Sequence, residues 1–243
     1  MEDLEGRTAI VTGGGTGIGE AISLALARLR LNVVVCGRRW EPLDTVVRAI
    51  RQSGGQALAV RGDVTVTDDV ERVVHTAVET YGSIDILINN AGVGGGDPIH
   101  EHSIEGWDQV MAVNLRGPFL FARFVLPFMR KQRRGHVINV SSESGIAYCS
   151  QSGAYGVSKH ALNALSEYMQ QENQAYGIRV NTLCPGMVVT ETTEDAVGLV
   201  HEKCLYPQDI ADLVVWLVTR RANVKIGSAI LIQTMENPWL SQH

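Results

Sequence analysis

Short apolar runs alternate with longer amphipathic stretches along the whole chain. The short runs are rich in β-branched residues and apolar at successive positions, as expected for strands buried on both faces of a parallel sheet. The longer stretches repeat apolar residues at helical spacing; in the first of them these are Ile18, Ala21, Ile22, Ala25, Leu26 and Leu29. Regular alternation of strand and helix predicts an α/β fold with a doubly wound parallel sheet and helices on both faces.

Seven runs predict seven strands, which gives a Rossmann-type sheet. They are TAIVTG, NVVVCG, ALAVRGDV, IDILINNAG, HVINVSS, IRVNTLCPG and SAILIQ. We expect Thr67 to cap the helix after the third strand, with Asp68 and Asp69 favourable in its first turn. Pro118 is expected to kink or restart its helix, and Pro207 to open the last one.

The 243 residues contain no linker, repeat or low-complexity segment, so we predict one domain over residues 1–243. Its cofactor half would span about residues 1–150, and its catalytic and substrate half about residues 136–243. Hydrophobic residues make up 45% and charged residues 19%, which suits an ordinary globular core.

Charge and targeting signals narrow the class of protein. The net charge of −5 gives no support for binding nucleic acid or a membrane surface. No apolar run approaches the roughly 18 residues of a spanning helix, and the acidic N-terminus has no signal-peptide core. The cysteines, Cys36, Cys149, Cys184 and Cys204, are widely spaced and lack a CxxC pattern. We therefore predict a cytoplasmic protein with reduced, structural cysteines.

The turn after the first strand is glycine-rich and reads TGGGTGIG. Glycine lets a backbone turn tightly and approach a phosphate, and a helix N-terminus supplies free N–H groups and partial positive charge. The spacing is G-x3-G-x-G, and in a strand–turn–helix context it predicts dinucleotide binding. The candidate residues are Gly13, Gly15, Thr16, Gly17, Ile18 and Gly19.

The end of the second strand bears on the choice of dinucleotide. Sites for NAD usually place Asp or Glu there to bind the ribose 2′-hydroxyl, but this chain has Arg38 and Arg39. A guanidinium can pair with a 2′-phosphate through two hydrogen bonds, which favours NADP(H). The alternative is a pair of solvated arginines without a specific partner.

Tyr155 and Lys159 stand four residues apart in the sequence YGVSK. On a helix the two side chains share a face, and a nearby cation lowers the pKa of a phenol from its usual value of about 10. The pair is therefore a candidate proton donor and acceptor. Taken alone, such a pair is more often a surface tyrosine beside a solvated lysine.

Taken together, the motifs resemble the short-chain dehydrogenase/reductase family over nearly the full length. In order they are TGGGTGIG, Asp63-Val64, NNAG at residues 89–92, Asn114 in VNLRG, Ser141-Ser142, YGVSK, and Pro185-Gly186 with Thr190. Ser142 precedes Tyr155 by thirteen residues, the separation that this family uses. The overall pattern is most similar to 3-oxoacyl-(acyl-carrier-protein) reductases.

The resemblance implies roles for four catalytic residues. Tyr155 would be the general acid in reduction and the base in the reverse direction, and Lys159 would lower its pKa and hold the nicotinamide ribose. Ser142 would hydrogen-bond the substrate oxygen. Asn114 would hold a water that links Lys159 to solvent.

Further cofactor contacts follow from the same resemblance. They are Asp63 and Val64 at the adenine, Asn90, Ala91 and Gly92 beside the cofactor, and Pro185, Gly186, Val188 and Thr190 at the carboxamide. Hydride transfer to a ketone builds negative charge on oxygen, where hydroxyl donors stabilise it. We expect NADP(H)-dependent, reversible reduction of a ketone or 3-oxoacyl carbonyl to a secondary alcohol. The alternatives are an NAD-dependent polyol, sugar or steroid alcohol dehydrogenase, or a non-catalytic dinucleotide-binding sensor.

The substrate pocket is expected between residues 94–98, residues 143–149 and the lid segment after Gly186. Its apolar candidates are Ile146, Tyr148, Met187 and Val188. Glu143, directly after the serine, could bind a hydroxyl or amine of a ketone or alcohol substrate.

The C-terminal tail departs from the family pattern, because Gln233 and Met235 stand where an acid and a glycine are usual. Tails of this family often border a neighbouring subunit's pocket. The departure leaves substrate specificity and assembly open.

Other partners can be weighed from charge and apolar patterns. The basic run at residues 130–136 suits a helix end, or could dock an acidic partner such as an acyl carrier protein. His100 and His102 predict solvated loop histidines, so no metal site is predicted. The resemblance implies that the helix after Pro118 and the helix over residues 153–176 pair across subunits, which predicts a homotetramer or dimer. The apolar face of the first helix has Phe121, Phe124, Val125 and Phe128.

Overall fold

The computed structural model describes residues 4–148, 150, 152–227 and 229–239. They form one seven-stranded parallel sheet in the order β3-β2-β1-β4-β5-β6-β7. The strands are β1 Thr8–Thr12, β2 Asn32–Gly37, β3 Gln56–Arg61, β4 Ile86–Asn89, β5 Gly135–Val140, β6 Ile178–Pro185 and β7 Ala229–Ile232. The predicted single-domain Rossmann fold is confirmed. Because strand order reverses between β1 and β4, the fold opens a crevice at their carboxyl ends.

Seven α-helices cover the two faces of the sheet within the described residues. They are α1 Gly17–Arg28, α2 Trp40–Gln52, α3 Thr67–Tyr81, α4 Ile104–Met111, α5 Gly117–Gln132, α6 Gly153–Asn173 and α7 Pro207–Val218. Helices α1, α2 and α7 pack in one apolar cluster with the sheet, and α3, α5 and α6 pack in the other. In β1, Ala9 and Val11 face the first cluster and Ile10 faces the second, so every position of this strand is buried. This two-sided burial explains the continuous apolar runs in the sequence.

The helix starts agree with most of the sequence predictions. Pro207 opens α7, and Pro118 lies in the first turn of α5, directly after a π-helical segment, Ala112–Arg116. The prediction that Thr67 caps α3 is wrong, because the helix begins at Thr67 and its cap, Val66, makes no side-chain hydrogen bond. Asp69 in the first turn instead accepts a hydrogen bond at 2.9 Å from the backbone N–H of Asp63, which precedes α3.

Helices α4 and α5 and the π-helical segment between them form one continuous 29-residue stretch, residues 104–132. By length and composition alone it could cross a membrane, which the sequence analysis did not anticipate. Half of its most apolar window is buried within the protein. Phe121, Val125 and Met129 are buried against the sheet, as in a core helix.

The residues expected at a subunit contact are partly core residues. Phe121 and Val125 are fully buried, so they are not available to a partner, contrary to prediction. The large apolar side chains exposed on α5 and α6 are instead Phe119, Val157 and Tyr168. The tetramer remains a prediction.

The basic run after α5 is largely engaged within the chain. Arg130 donates to the Asn173 side chain at 2.6 Å and lies over the ring of Tyr176. Arg133 donates to a carbonyl of the turn after α6, and Arg134 forms an ion pair at the start of β5. These contacts connect the end of α5 to the end of α6, which agrees with the interpretation of the basic run as a helix end.

The loop histidines and the cysteines differ in their surroundings. His100 is exposed, as predicted, but the His102 side chain is only 7% exposed, so that part of the prediction is wrong. The described residues hold no group of three His, Cys, Asp or Glu side chains placed to bind a metal. Cys36, Cys184 and Cys204 are buried free thiols, and Cys149 lies outside the described residues.

Candidate active site

A cleft of about 830 Å³ opens at the carboxyl ends of the strands. This is the edge at which open α/β sheets bind ligands. Among the predicted site residues, those that line it are Gly13, Gly15, Thr16, Gly17, Ile18, Arg38, Arg39, Asp63, Val64, Asn90, Ala91, Gly92, Ser142, Tyr155, Lys159, Pro185, Gly186, Val188 and Thr190. The fold thus brings sequence-distant motifs to one surface.

The glycine turn joins β1 to α1 at the centre of this cleft. Gly13 and Gly17 have φ of +62° and +54°, a left-handed conformation that glycine adopts without strain. The α1 cap, Thr16, makes no side-chain hydrogen bond, so the first N–H groups of the helix remain for a ligand. Gly19 does not line the cleft, contrary to prediction. A Cβ there would lie 2.1 Å from the Gly13 carbonyl oxygen, so Gly19 allows α1 to pack against the turn.

The rim beyond β2 is positively charged. Arg38 and Arg39 are exposed there, and the Arg38 carbonyl accepts a hydrogen bond from the Arg61 guanidinium at 3.0 Å. Asp63, the carboxylate at this rim, accepts from the Thr65 N–H and hydroxyl at 2.9 and 2.8 Å. The Oδ1 atom of Asp63 is therefore used by hydrogen bonds within the turn, while Arg38 and Arg39 face the cleft.

Asn90 connects the end of β4 to the glycine turn. Its side-chain amide donates to the carbonyls of Thr12 and Gly13 at 3.0 and 3.2 Å. The Thr12 hydroxyl in turn accepts from the N–H groups of Asn90 and Ala91. Asn90 therefore fixes the shape of the phosphate-binding turn in addition to lining the cleft.

Ser142, Tyr155 and Lys159 meet at the inner end of the cleft. Ser142 follows β5 and lies near Tyr155 in the first turn of α6, where it lowers the pKa of the tyrosine hydroxyl. Lys159 lies one turn later on the same face, with Nζ 5.5 Å from the centroid of the Tyr155 ring. The shared helix face predicted for the pair is confirmed.

Lys159 is a buried cation with unused donors. Its side chain reaches the end of β5, where Nζ donates to the Val140 carbonyl at 2.9 Å. Burial lowers the pKa of Lys159 to about 8, so the ammonium form still dominates at neutral pH. Among the described residues Nζ has no second hydrogen-bond partner, which leaves two donors for a ligand.

The electrostatics of Tyr155 differ from the prediction. Burial raises the pKa of Tyr155 above its usual value; the Ser142 hydrogen bond lowers it, and the charges of Glu143 and Cys184 raise it. Lys159 is not among the groups that shift this pKa, and the shift is upward, opposite to the predicted lowering, because desolvation outweighs the other contributions. Tyr155 is therefore protonated at neutral pH and ready to act as an acid.

Asn114 lies behind the cleft, in the π-helical segment, and is fully buried. Its amide bonds both the N–H and the carbonyl of Val93 at 2.9 Å and donates to the Ser158 hydroxyl at 3.1 Å. A Cβ at Gly92 would lie 3.5 Å from Asn114 Oδ1 and 3.6 Å from Lys159 Nζ, so the two side chains approach the same backbone. The water-holding role of Asn114 stays a prediction.

The sequence model of short chain dehydrogenases matches residues 7–198. The chain belongs to the short-chain dehydrogenase/reductase family. Uncharacterized oxidoreductases of Staphylococcus epidermidis and Staphylococcus aureus are 32% identical over 231 residues and 34% identical over 227 residues. These matches cover 95% and 93% of this chain, and 99% and 97% of the relatives.

Two solved structures are similar to this chain over most of its length. A metagenomic short-chain oxidoreductase in complex with NADP is 34% identical, with a TM-score of 0.84 over 97% of this chain and 100% of that one. A variant of actinorhodin polyketide ketoreductase with NADPH is 29% identical, with a TM-score of 0.87 over 94% and 96%. Identity and coverage together support an oxidoreductase of the short-chain dehydrogenase/reductase family.

In this short-chain dehydrogenase, the segment after Gly186 that is expected to form the lid is held by the C-terminal tail, a contact that the sequence analysis missed. Leu199 pairs with Trp239 in an antiparallel bridge, and the Thr234 hydroxyl donates to the Lys203 carbonyl at 2.7 Å. The Lys203 ammonium pairs with Glu236 at 3.0 Å. Whether the tail also reaches a neighbouring subunit's pocket stays a prediction.

The substrate end of the cleft is less apolar than predicted. Met187 lines it, but Ile146 and Tyr148 are exposed outside it, and Tyr148 stacks on the His160 ring. Glu143 lines the cleft beside Ser142, as predicted. Glu191, Thr192 and Thr193 also line it, and they belong to the segment after Gly186 that was predicted there, whereas Pro42, Leu43 and Ser152 were missed.

Proposed function

We propose that the protein reduces a ketone, including 3-oxoacyl-type carbonyls, to a secondary alcohol with NADPH, and catalyses the reverse reaction. The observation that carries this proposal is the meeting of Ser142, Tyr155 and the buried Lys159 in a cleft that is continuous with the glycine turn. Two hydroxyl donors and a cation at one point are suited to an oxygen that gains negative charge.

The residues present fit a phosphorylated dinucleotide. The free N–H groups of α1 would hold the pyrophosphate, and Arg38 and Arg39 would hold the 2′-phosphate. The two unused donors of Lys159 fit ribose hydroxyls. Similar structures with NADP and NADPH support the same choice. When bound, the reduced nicotinamide supplies the hydride that the carbonyl carbon accepts.

Tyr155 completes the reduction by giving its hydroxyl proton to the carbonyl oxygen, which becomes the alcohol oxygen. Ser142 donates a hydrogen bond to the same oxygen, and the unused donors of Lys159 would hold the ribose hydroxyls of the cofactor beside it. The pKa of Tyr155 lies above its usual value of about 10, so the hydroxyl carries its proton at neutral pH and the proton is in place for reduction. Alcohol oxidation needs the deprotonated form and should become faster at higher pH.

We also propose that Asn114 holds a water between Lys159 and solvent. The approach of both side chains to Gly92 supports this, since a single solvent molecule there could exchange a proton with Nζ. The phenolate would regain its proton along this route after each turnover.

A substrate panel with both cofactors tests the proposal. Ketones and 3-oxoacyl thioesters, free and linked to an acyl carrier protein, are mixed with NADPH or NADH, and loss of reduced-nicotinamide absorbance is followed. We expect consumption with NADPH and much less with NADH. Absence of turnover across the panel, or equal rates with the two cofactors, would contradict the proposal.

A further inference from the structure

Glu143, Gln233 and Gly186 form a corner of the cleft directly beside Ser142, which we call the acidic corner. The Glu143 carboxylate oxygen Oε2 accepts a hydrogen bond from the Gln233 side-chain amide, which belongs to the C-terminal tail. A Cβ at Gly186 would lie 3.4 Å from this oxygen and 3.3 Å from Gln233 Cγ. Glycine at this position therefore lets the two side chains meet over the backbone.

The second oxygen of Glu143, Oε1, has no hydrogen-bond partner among the described residues. None of the ion pairs between described residues includes Glu143. Gln233 is neutral, so it fixes the direction of the carboxylate without cancelling its charge. The chain thus presents a half-buried, oriented and uncompensated negative charge to the substrate end of its cleft.

This charge is unfavourable for the proposed chemistry unless a ligand offsets it. The charge of Glu143 raises the pKa of Tyr155, so it opposes the phenolate left by proton transfer. It also opposes negative charge on the substrate oxygen beside Ser142. A cation on the substrate would satisfy Oε1 and remove both penalties.

We propose that the acidic corner binds an ammonium group of the substrate, so that the protein prefers amino ketones and amino alcohols to their neutral isosteres. This inference rests on the proposed function and specifies the substrate class of the same site. Glu143 is the residue that contacts the ammonium, and Gln233 is a positioning residue that holds Glu143.

Matched ketones at two spacer lengths test the preference. Dimethylaminoacetone is compared with isobutyl methyl ketone, and dimethylaminoethyl methyl ketone with isoamyl methyl ketone; each pair differs by a protonated nitrogen in place of a carbon. We expect kcat/KM to be about 10- to 100-fold higher for the ammonium member of at least one pair, the range of a charged hydrogen bond. Glu143→Gln should abolish this preference. Turnover of the neutral ketones without any ammonium preference would overturn the inference and leave the proposed function standing.

Two controls separate the acidic corner from general electrostatics. Glu191→Gln removes the same charge elsewhere in the cleft, and should keep the ammonium preference. Hydroxyacetone against ethyl methyl ketone tests a neutral donor; a larger preference there than for the ammonium pairs would overturn the choice of a cation. If no ketone is reduced, binding of the corresponding amino and neutral alcohols is measured by calorimetry. We expect tighter binding of the amino alcohols, and equal affinities would refute the inference.

The role of Gln233 is tested with Gln233→Leu, which removes the amide and keeps the bulk. We expect KM for the ammonium ketone to rise about 3- to 10-fold with little change in kcat, since a neutral hydrogen bond is weaker than a charged one. KM for the neutral isostere should not change. Equal increases for both ketones would show that Gln233 supports only the fold.

Discussion

The two edges of the sheet both bury polar side chains, but only one of them combines open hydrogen-bonding capacity with space for a ligand. At the amino edge, Asp85 accepts from the Thr8 N–H at 3.0 Å, the Ser83 hydroxyl at 2.7 Å and Arg134 at 2.7 Å. His136 on the next strand bonds Asn181 at 2.8 Å. The cavity among these residues is only about 20 Å³, room for about one water.

At the carboxyl edge, polar side chains and backbone groups face a cleft some forty times larger than the cavity at the amino edge. Lys159 has two unused donors, the first turn of α1 has free N–H groups, and Glu143 has an unused oxygen. Burial of a polar group therefore does not by itself mark a functional site. Burial combined with unfilled hydrogen-bonding capacity and space for a ligand does.

Tyr155→Phe, a change at the carboxyl edge, should give the largest effect of the predictions, a loss of kcat without a loss of stability. Removing a general acid typically costs about 10²- to 10⁴-fold in kcat. The phenyl ring keeps the packing, so the melting temperature and NADPH affinity should stay close to wild type. Steady-state kinetics, calorimetry and cofactor titration measure the three quantities.

Tyr148→Phe is the matched control for this prediction. It removes the same hydroxyl from an exposed tyrosine outside the cleft, and should leave kcat unchanged. Wild-type turnover in Tyr155→Phe, or an equal loss in both variants, would contradict the proton-transfer role.

Asp85→Ala should show the opposite pattern, a loss of stability with unchanged kcat. It leaves three donors without their acceptor, including a buried N–H. Breaking a fully buried pair costs 3–5 kcal/mol; because Arg134 is half exposed, we expect about 2–3 kcal/mol from urea unfolding. Asp44→Ala, which breaks a surface pair with Arg48, should cost about 0.5 kcal/mol or less. Similar losses in the two variants would show that the amino-edge network is not stabilising.

Arg38→Asp tests whether the exposed positive charge after β2 makes the protein prefer NADPH to NADH. Loss of one charged hydrogen bond and the added repulsion should weaken NADPH binding about 10- to 100-fold and improve NADH binding. Fluorescence titration with each cofactor measures both changes. Arg221→Asp makes the same charge change at an exposed site outside the cleft, so it should alter neither affinity. An unchanged NADPH affinity in Arg38→Asp would mean that the arginine is solvated and has no specific partner.

The parts of the site that could be predicted from sequence depend on local geometry. Four-residue spacing on a helix places Tyr155 and Lys159 together, and the glycine turn is defined by neighbouring residues. The strand runs predict the sheet because burial on both faces leaves a continuous apolar pattern. With the fold known, the order of the motifs places them at one edge.

The parts that were missed depend on contacts between distant segments or on burial. Gln233 reaches Glu143 across 90 positions, and no local pattern indicates that contact. The direction of the Tyr155 pKa shift follows from desolvation, which sequence spacing does not measure. Similarly, the His102 side chain is only 7% exposed in a polar loop, and a Cβ at Gly95 or Gly106 would lie 3.4 Å from its ring, a proximity that sequence does not indicate.

The smallest effect that we predict is a pH dependence of stability at the amino edge. Burial lowers the pKa of His136 to about 3, from an ordinary value near 6.5. The folded state therefore keeps this imidazole neutral, while the unfolded chain takes up a proton as the pH falls below about 6.5. The contribution of His136 to stability is present above that pH, and is lost progressively as the pH falls toward 3.

His136→Asn removes this titration, so the difference in unfolding free energy between wild type and variant isolates it. Between pH 7 and 5.5 the wild type should lose about 1 kcal/mol more than the variant in urea unfolding, since one pKa unit is worth 1.36 kcal/mol. His100→Asn, at an exposed histidine, should keep the wild-type slope. A common slope for all three proteins would mean that His136 does not stay neutral in the folded state. A protonated imidazole would need an acceptor at Nδ1, and this atom of His136 has no partner among the described residues. The description of the amino edge as closed to ligands would then be wrong at His136.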